Sequence, residues 1–156
     1  MYVRKDDPSR WVYPVHLEAM NEGGFLATFP DVPEAIASGD TREAAMHEAR
    51  KALGIALRGA LADGEALPPA SDGTPRLAVL VADGLKLSVI AAFASAGLSQ
   101  VELAKRIGRD GKEVRRILDA SHHTKPAALE DALAAMGASA TMDLHLPERQ
   151  QDPVPA

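Results

Sequence analysis

Leu98–Leu118, LSQVELAKRIGRDGKEVRRIL, holds two short helix patterns separated by a glycine. Ser99 followed by Glu102, and Asp110 followed by Glu113, each have the form of an N-cap and its capping-box partner. Val101, Leu103, Ala104 and Ile107 make the apolar side of the first helix. Val114, Ile117 and Leu118 make that of the second, and Gly108 supplies the turn. The second helix carries Lys112, Arg115 and Arg116 on its polar side. A braced first helix, a tight turn and a cationic second helix form the pattern of a helix-turn-helix, whose second helix enters the major groove of DNA. The small Ala104 suits the close approach of the two helices. In that geometry Lys112, Glu113 and Arg116 are the expected base readers, because Arg and Lys suit guanine and Glu accepts from cytosine. Gln100, Arg109 and Arg115 are placed for phosphates. The alternative is a small helical bundle whose cations only solvate its exterior. One such module binds weakly, so a two-fold homodimer or tetramer on palindromic operator DNA is expected.

The bulk properties restrict the rest. With 17 Lys and Arg against 22 Asp and Glu, the net charge of −5 argues against indiscriminate coating of nucleic acid. The charge is unevenly placed. Residues 1–83 hold 8 basic and 13 acidic side chains, residues 84–140 hold 8 and 6, and residues 141–156 hold 1 and 3. That distribution predicts three parts: an acidic module (1–83), a mildly basic one (84–140) and a flexible tail (141–156). Absence of cysteine excludes disulfides and thiolate chemistry and suits a reducing cytoplasm. The start MYVRKDD lacks the apolar stretch of a signal peptide. The longest apolar runs, Leu77–Ala82 and Val89–Ala94, fall far short of the roughly 18–20 residues that span a bilayer. A cytoplasmic chain with no membrane association is expected.

Upstream, Trp11–Met20 alternates as a strand with Tyr13, Val15 and Leu17 on one side. Asn21–Gly24 is a hairpin turn, Phe25–Phe29 returns as a second strand until Pro30, and Glu34–Ser38 fits a short third strand. Asp40 with Glu43 predicts a capped helix running to about Ala62, its stripe made of Ala45, Ala49, Ala52, Leu53, Ala56, Leu57, Ala60 and Leu61. A Pro- and Gly-rich loop spans Pro68–Pro75, and Arg76–Ala82 has the composition of a central strand. Asp83-Gly84 is the expected boundary. A helix follows over Lys86–Ala96, apolar at Leu87, Ile90, Ala91 and Ala94, and a last one runs from Pro126 to Gly137, apolar at Leu129, Leu133 and Met136. Met142, Leu144 and Leu146 suggest a short strand before a Pro- and Gln-rich end. The fold class is therefore α+β: a small β-sheet crossed by one long helix, then an all-α part. The sheet unit alone buries too little surface to be very stable, which favours oligomerisation.

Chemical motifs are sparse. His16, His47, His122, His123 and His145 have no metal-ligand spacing, and Ser71, Ser88, Ser95 and Ser99 sit in no nucleophile elbow. Gly23-Gly24 is a turn, and Gly108-x-x-Gly111 is too short for a phosphate loop. Glu18, Asp31 and Asp40 could form a carboxylate cluster for metal-dependent phosphodiester cleavage, but only Glu18 falls in a strand and Asp40 serves as a cap. No catalytic residue, metal site or cofactor is expected. A stand-alone regulator with a ligand-sensing or dimerising front module is the alternative to a partner-binding protein.

Gly23–Leu53, GGFLATFPDVPEAIASGDTREAAMHEARKAL, resembles the HicB antitoxin family. The shared features are the glycine-aromatic strand, Phe29-Pro30-Asp31-Val32-Pro33, and Gly39-Asp40-Thr41 opening an alanine-rich helix. Glu34-Ala35 stand where family members often have Gly-Cys. The resemblance extends over about residues 10–137, through the helix-turn-helix and the following Asp119-x-x-His122-x-Thr124. It implies a degraded ribonuclease-H-like front domain without catalytic carboxylates, which masks a small basic RNA-cleaving toxin of the HicA type. It also implies a DNA-binding half that represses the operon encoding the pair. Inhibition would be occlusion of the toxin's catalytic histidine or RNA-binding surface, with Glu22, Phe29, Asp31 and Glu34 as the candidate toxin contacts. The Pro30–Pro33 segment equally well only shapes the chain between strands.

Overall fold

The computed structural model describes residues 10–146. Among them the order is β1 (Val12–Pro14), β2 (His16–Ala19), β3 (Phe25–Thr28), β4 (Ile36–Gly39), α1 (Arg42–Ala62), β5 (Arg76–Ala78), α2 (Val81–Ala96), α3 (Gln100–Ile107), α4 (Gly111–Leu118) and α5 (Pro126–Ala135). The mixed α+β class is as expected, with the strands early and a helical region at the end.

The expected single strand Trp11–Met20 is split between two sheets. β1 pairs antiparallel with β5, and β2 pairs with β3 in the antiparallel order β2-β3-β4. Pro14 has no N–H to continue a ladder. The next donor, the Val15 N–H, goes to the Pro75 carbonyl at 2.9 Å, and the chain then changes partner. The hairpin turn closes through Met20 N–H to Gly24 O, with Gly23 and Gly24 at φ +99° and +81°, a region that disfavours a side chain.

The expected central strand Arg76–Ala82 is three residues long and lies in a two-stranded sheet. Arg50 of α1 donates to the carbonyls of Ala78 (2.9 Å) and Val79 (3.2 Å), taking acceptors a longer ladder would need. The chain turns into α2 at Val81, so Asp83-Gly84 lies within the first helical turn, where the Gly84 N–H donates to Leu80 O. The start of α1 also differs from expectation. Thr41, not Asp40, is the N-cap and accepts from the Ala44 N–H at 3.1 Å, so the Asp40–Glu43 capping box does not form. Thr41 has the extended backbone a cap requires.

Two apolar cores result. The first joins Tyr13, Val15, Ala27 and Phe29 from the strands to Leu53 and Leu57 of α1 and Leu87 of α2. The second joins Val89 of α2 to Ile117 of α4 and Ala128, Leu129, Ala132 and Leu133 of α5. Each fully buried Leu or Phe stabilises by roughly 1.5–3 kcal/mol. Helix α2 therefore serves both halves, with Leu87 facing one core and Val89 the other. Its expected apolar face is only partly right, because Ala94 is exposed and the buried positions are Lys86, Leu87 and Val89. Met142, Leu144 and Leu146 are exposed and form no strand; the Pro- and Gln-rich end from residue 147 lies outside the described residues. Among the described residues, no single helix is long and apolar enough to cross a membrane.

Candidate functional site

The two helices of Leu98–Leu118 form where their caps place them. Ser99 accepts from the Glu102 N–H at 3.1 Å, and Glu102 accepts from the Ser99 N–H at 2.8 Å, completing the first capping box. Asp110 accepts from the Glu113 N–H at 2.8 Å. The second box is only half made, because the Glu113 carboxylate turns to Arg109. Gly108 ends α3 at φ +65°, a conformation glycine adopts without steric cost. Leu103, Val114 and Ile117 point inward as expected, whereas Val101 is 64% exposed and does not.

Lys112, Arg115 and Arg116 are exposed on α4, opposite Val114 and Ile117. Their spacing puts them on one helical face. Gln100 is exposed at the start of α3, and Gln100, Arg109 and Arg115 line one open groove between α3 and α4, together with Lys105. Arg109 and Glu113 are not free side chains. The Arg109 guanidinium pairs with Glu113 and, at 3.1 Å, with Asp131 of α5, and those acceptors push its pKa up. Arg109 thus braces α4 against α5 while it borders the groove.

The C-terminal end of α4 is built differently from that of α3. Asp119 at its C-cap is extended, so no glycine cap satisfies the last carbonyls. Lys86 of α2, 4% exposed, does so instead. Its Nζ donates to Arg116 O (3.1 Å), Ile117 O (2.9 Å) and Thr124 Oγ1 (2.7 Å), so all three ammonium donors are used. Burial lowers the Lys86 pKa to about 8; the nearby Asp119 carboxylate opposes this and the Arg58 guanidinium adds to it. A cation at a helix C-terminus is favoured by the helix dipole, by up to about 2 kcal/mol where partly buried. Arg58 of α1 completes the junction. Its Nε lies 2.8 Å from Asp83 Oδ1, an ion-pair contact although the N–H is not aimed along it, and its Nη1 donates to Ala120 O at 3.3 Å.

The four candidate toxin contacts are dispersed. Glu22 is exposed at the β2–β3 turn. Phe29 is a core residue, 2% exposed, because the strand before Pro30 directs its ring at α1. A partner could reach it only by opening that core. Asp31 is tied down, accepting from both the N–H and the Oγ of Ser71 at 2.9 Å. Asp31 and the exposed Glu34 do share a groove of about 500 Å³ with Asp63 and Glu65, floored by Ala56, Leu57 and Ala60. The Tyr13 hydroxyl donates to Pro68 O at 2.8 Å on the same side, and burial together with the Asp31 charge pushes its pKa up. Among the described residues no three His, Asp or Glu side chains converge as a metal site, so Glu18, Asp31 and Asp40 remain separate.

A family model described as "HicB_like antitoxin of bacterial toxin-antitoxin system" matches residues 12–82, the strands, α1 and the turn into α2. Antitoxin HicB 1 of Photorhabdus laumondii is 38% identical over 133 residues, covering 85% of this chain and 86% of the relative. This chain belongs to the HicB antitoxin family. An alignment of that length continues into the helical half of this HicB chain. Antitoxin HicB of Escherichia coli K12 is 34% identical over 128 residues, covering 80% of this chain and 93% of the relative. Antitoxin HicB of Pseudomonas fluorescens is also 34% identical over 128 residues.

Sequence reasoning missed Lys86, Arg58, Asp63 and Glu65. Lys86 had a usable signal, being the one charged residue between Asp83 and Glu102. A cation in so apolar a helix needs acceptors.

Proposed function

We propose that this HicB-family chain is an antitoxin that binds and neutralises a HicA-type RNA-cleaving toxin. In the same reading it represses its own operon by binding operator DNA as a homodimer or tetramer. The front half, residues 1–83, is the toxin-binding part, a ribonuclease-H-like unit without catalytic function. Residues 84–140 are a helix-turn-helix with α4 as the reading helix. One observation carries the DNA-binding half: Lys112, Arg115 and Arg116 stand exposed on one face of a helix that is capped at its start and buried behind. Lys112 and Arg116 read bases, while Gln100, Arg109 and Arg115 contact phosphates. Glu113, engaged by Arg109, orients that arginine rather than reading a base.

Neutralisation is occlusion. The acidic groove of Asp31, Glu34, Asp63 and Glu65 attracts a basic toxin surface, and the front half covers the toxin's RNA-cleaving centre. The protein acts by binding and carries out no bond chemistry of its own. The experiment is to co-express the chain with the short basic protein encoded beside it. Rescue of growth, co-purification of the pair and a mobility shift of DNA upstream of the operon are expected. Growth arrest despite co-expression overturns the antitoxin function, and absence of a shift overturns the repressor function.

A further inference from the structure

Helix α4 is supported differently at its two ends. Its start is closed by Asp110 and by the Arg109–Glu113 pair, all within a few residues in sequence. Its end has no glycine cap; the Thr124 hydroxyl, 3.4 Å from Arg116 O, and the His122 N–H on Asp119 O are the local contacts, while distant cations take two carbonyls of its last turn and one just past it. Lys86 of α2 holds Arg116 O and Ile117 O, and Arg58 of α1 holds Ala120 O. Thr124 is fixed to the same ammonium at 2.7 Å. Helix α3, by contrast, ends on its own Gly108, and the Arg109 N–H returns to Ala104 O at 3.1 Å. A helix whose last carbonyls are held mainly by side chains from other elements points where those elements direct it.

We propose that Lys86 and Arg58 are positioning residues for DNA reading: by holding the carbonyl end of α4 against α2 and α1, they set the angle at which Lys112 and Arg116 meet the bases. The inference rests on the operator-binding function proposed above. Lys86 is buried and the Arg58 side chain is 27% exposed and paired with Asp83, so their contribution is to the alignment of the contacting residues. Phosphate attraction depends on the exposed charge and tolerates a small tilt of α4. Base contacts are bidentate and directional and do not tolerate it.

The test compares the unaltered full chain with Lys86→Met, which keeps the stem and removes the donors. Affinities are measured for the DNA upstream of the operon and for a random duplex of equal length, each over a range of salt. A folding defect lowers the active fraction and weakens both affinities alike. A positioning defect weakens only the specific one. The expected result is a loss of about tenfold or more in upstream-DNA affinity, the size of one misaligned base contact, with random-duplex affinity and salt slope unchanged. Arg58→Met, at a less buried position, is expected to show the same loss of ratio and decides the matter if Lys86→Met does not fold. A specificity ratio unchanged in the folded variants overturns the inference while leaving operator binding intact. Failure of the unaltered chain to prefer upstream DNA overturns operator binding itself and the inference with it.

Discussion

Gly54 of α1 and Asp83 of α2 approach so closely that a Cβ on residue 54 would lie 2.7 Å from the Asp83 Cγ and 3.0 Å from its Cβ. The glycine lets α2 come near enough for Asp83 to reach Arg58 one helical turn further on. In an ordinary helix interior, replacing Gly by Ala stabilises by about 0.5–1 kcal/mol. Here the added methyl displaces Asp83 and strains the α1–α2 contact. Gly54→Ala is expected to destabilise by about 1–3 kcal/mol, as overpacked sites do. Gly59→Ala, in the same helix with nothing within 4 Å of the new carbon, is expected to stabilise by about 0.5–1 kcal/mol. Urea denaturation of the two variants checks the contrast, and equal effects would refute it.

The start of α1 distinguishes two adjacent residues. Thr41→Ala removes the acceptor for the Ala44 N–H and is expected to cost about 1 kcal/mol. Asp40→Ala is a surface change expected to stay within about 0.5 kcal/mol. Thermal unfolding midpoints in the reverse order would restore Asp40 as the cap.

Burial of Lys86 makes stability depend on pH with a definite sign. Its pKa falls from an ordinary 10.5 to about 8 in the folded chain, so below pH 8 both states hold the proton and the folded state bears the full cost of the buried charge. Between about pH 8 and 10.5 the unfolded chain binds the proton more tightly, and stability from this residue rises with pH. Arg58 and Asp119 are the charged groups facing the ammonium. The stability of the unaltered chain relative to Lys86→Met is therefore expected to improve from pH 8 to pH 10, a difference in which other titrations cancel. A decline over that range would show that the charged hydrogen bonds to Arg116 O, Ile117 O and Thr124 outweigh desolvation.

The two binding functions are expected to separate by mutation. Arg116→Ala should weaken operator binding by about 1–3 kcal/mol without affecting toxin neutralisation. Arg115→Ala should weaken binding to all DNA and reduce the salt slope by about one. Loss of toxin neutralisation together with DNA binding in either variant would argue against separate surfaces.

On the front half, Glu34→Lys reverses one charge in the acidic groove at an exposed position and should leave the fold intact. Weaker toxin capture with unchanged operator affinity is expected, as is a lower association rate. Unchanged capture and rate would move the toxin surface away from this groove.

The elements legible in the sequence are those built from contacts within a few residues. Ser99 with Glu102, Asp110, the Gly108 turn and Pro126 at the start of α5 could all be placed because their partners are near in the chain. So could the Ala-Leu stripe of α1, which follows from helical period alone. The family was legible too, since the order of turn residues and caps in Gly23–Leu53 is itself local.

What sequence did not reveal depends on distant partners. Arg76–Ala82 has the composition of a central strand, yet Arg50 takes the carbonyls of Ala78 and Val79, the strand stops after three residues and Val81 already begins α2. Phe29 ends the expected second strand and counts among the candidate toxin contacts, and only the packing of α1 over the sheet buries it. The acceptors of Lys86 lie at Arg116, Ile117 and Thr124, 30 or more positions away in the chain. Caps, periods and turns are short-range and are written in adjacent residues. The end of α4 and the residue just past its C-cap accept hydrogen bonds from residues 30 and 62 positions away, and only packing brings those together.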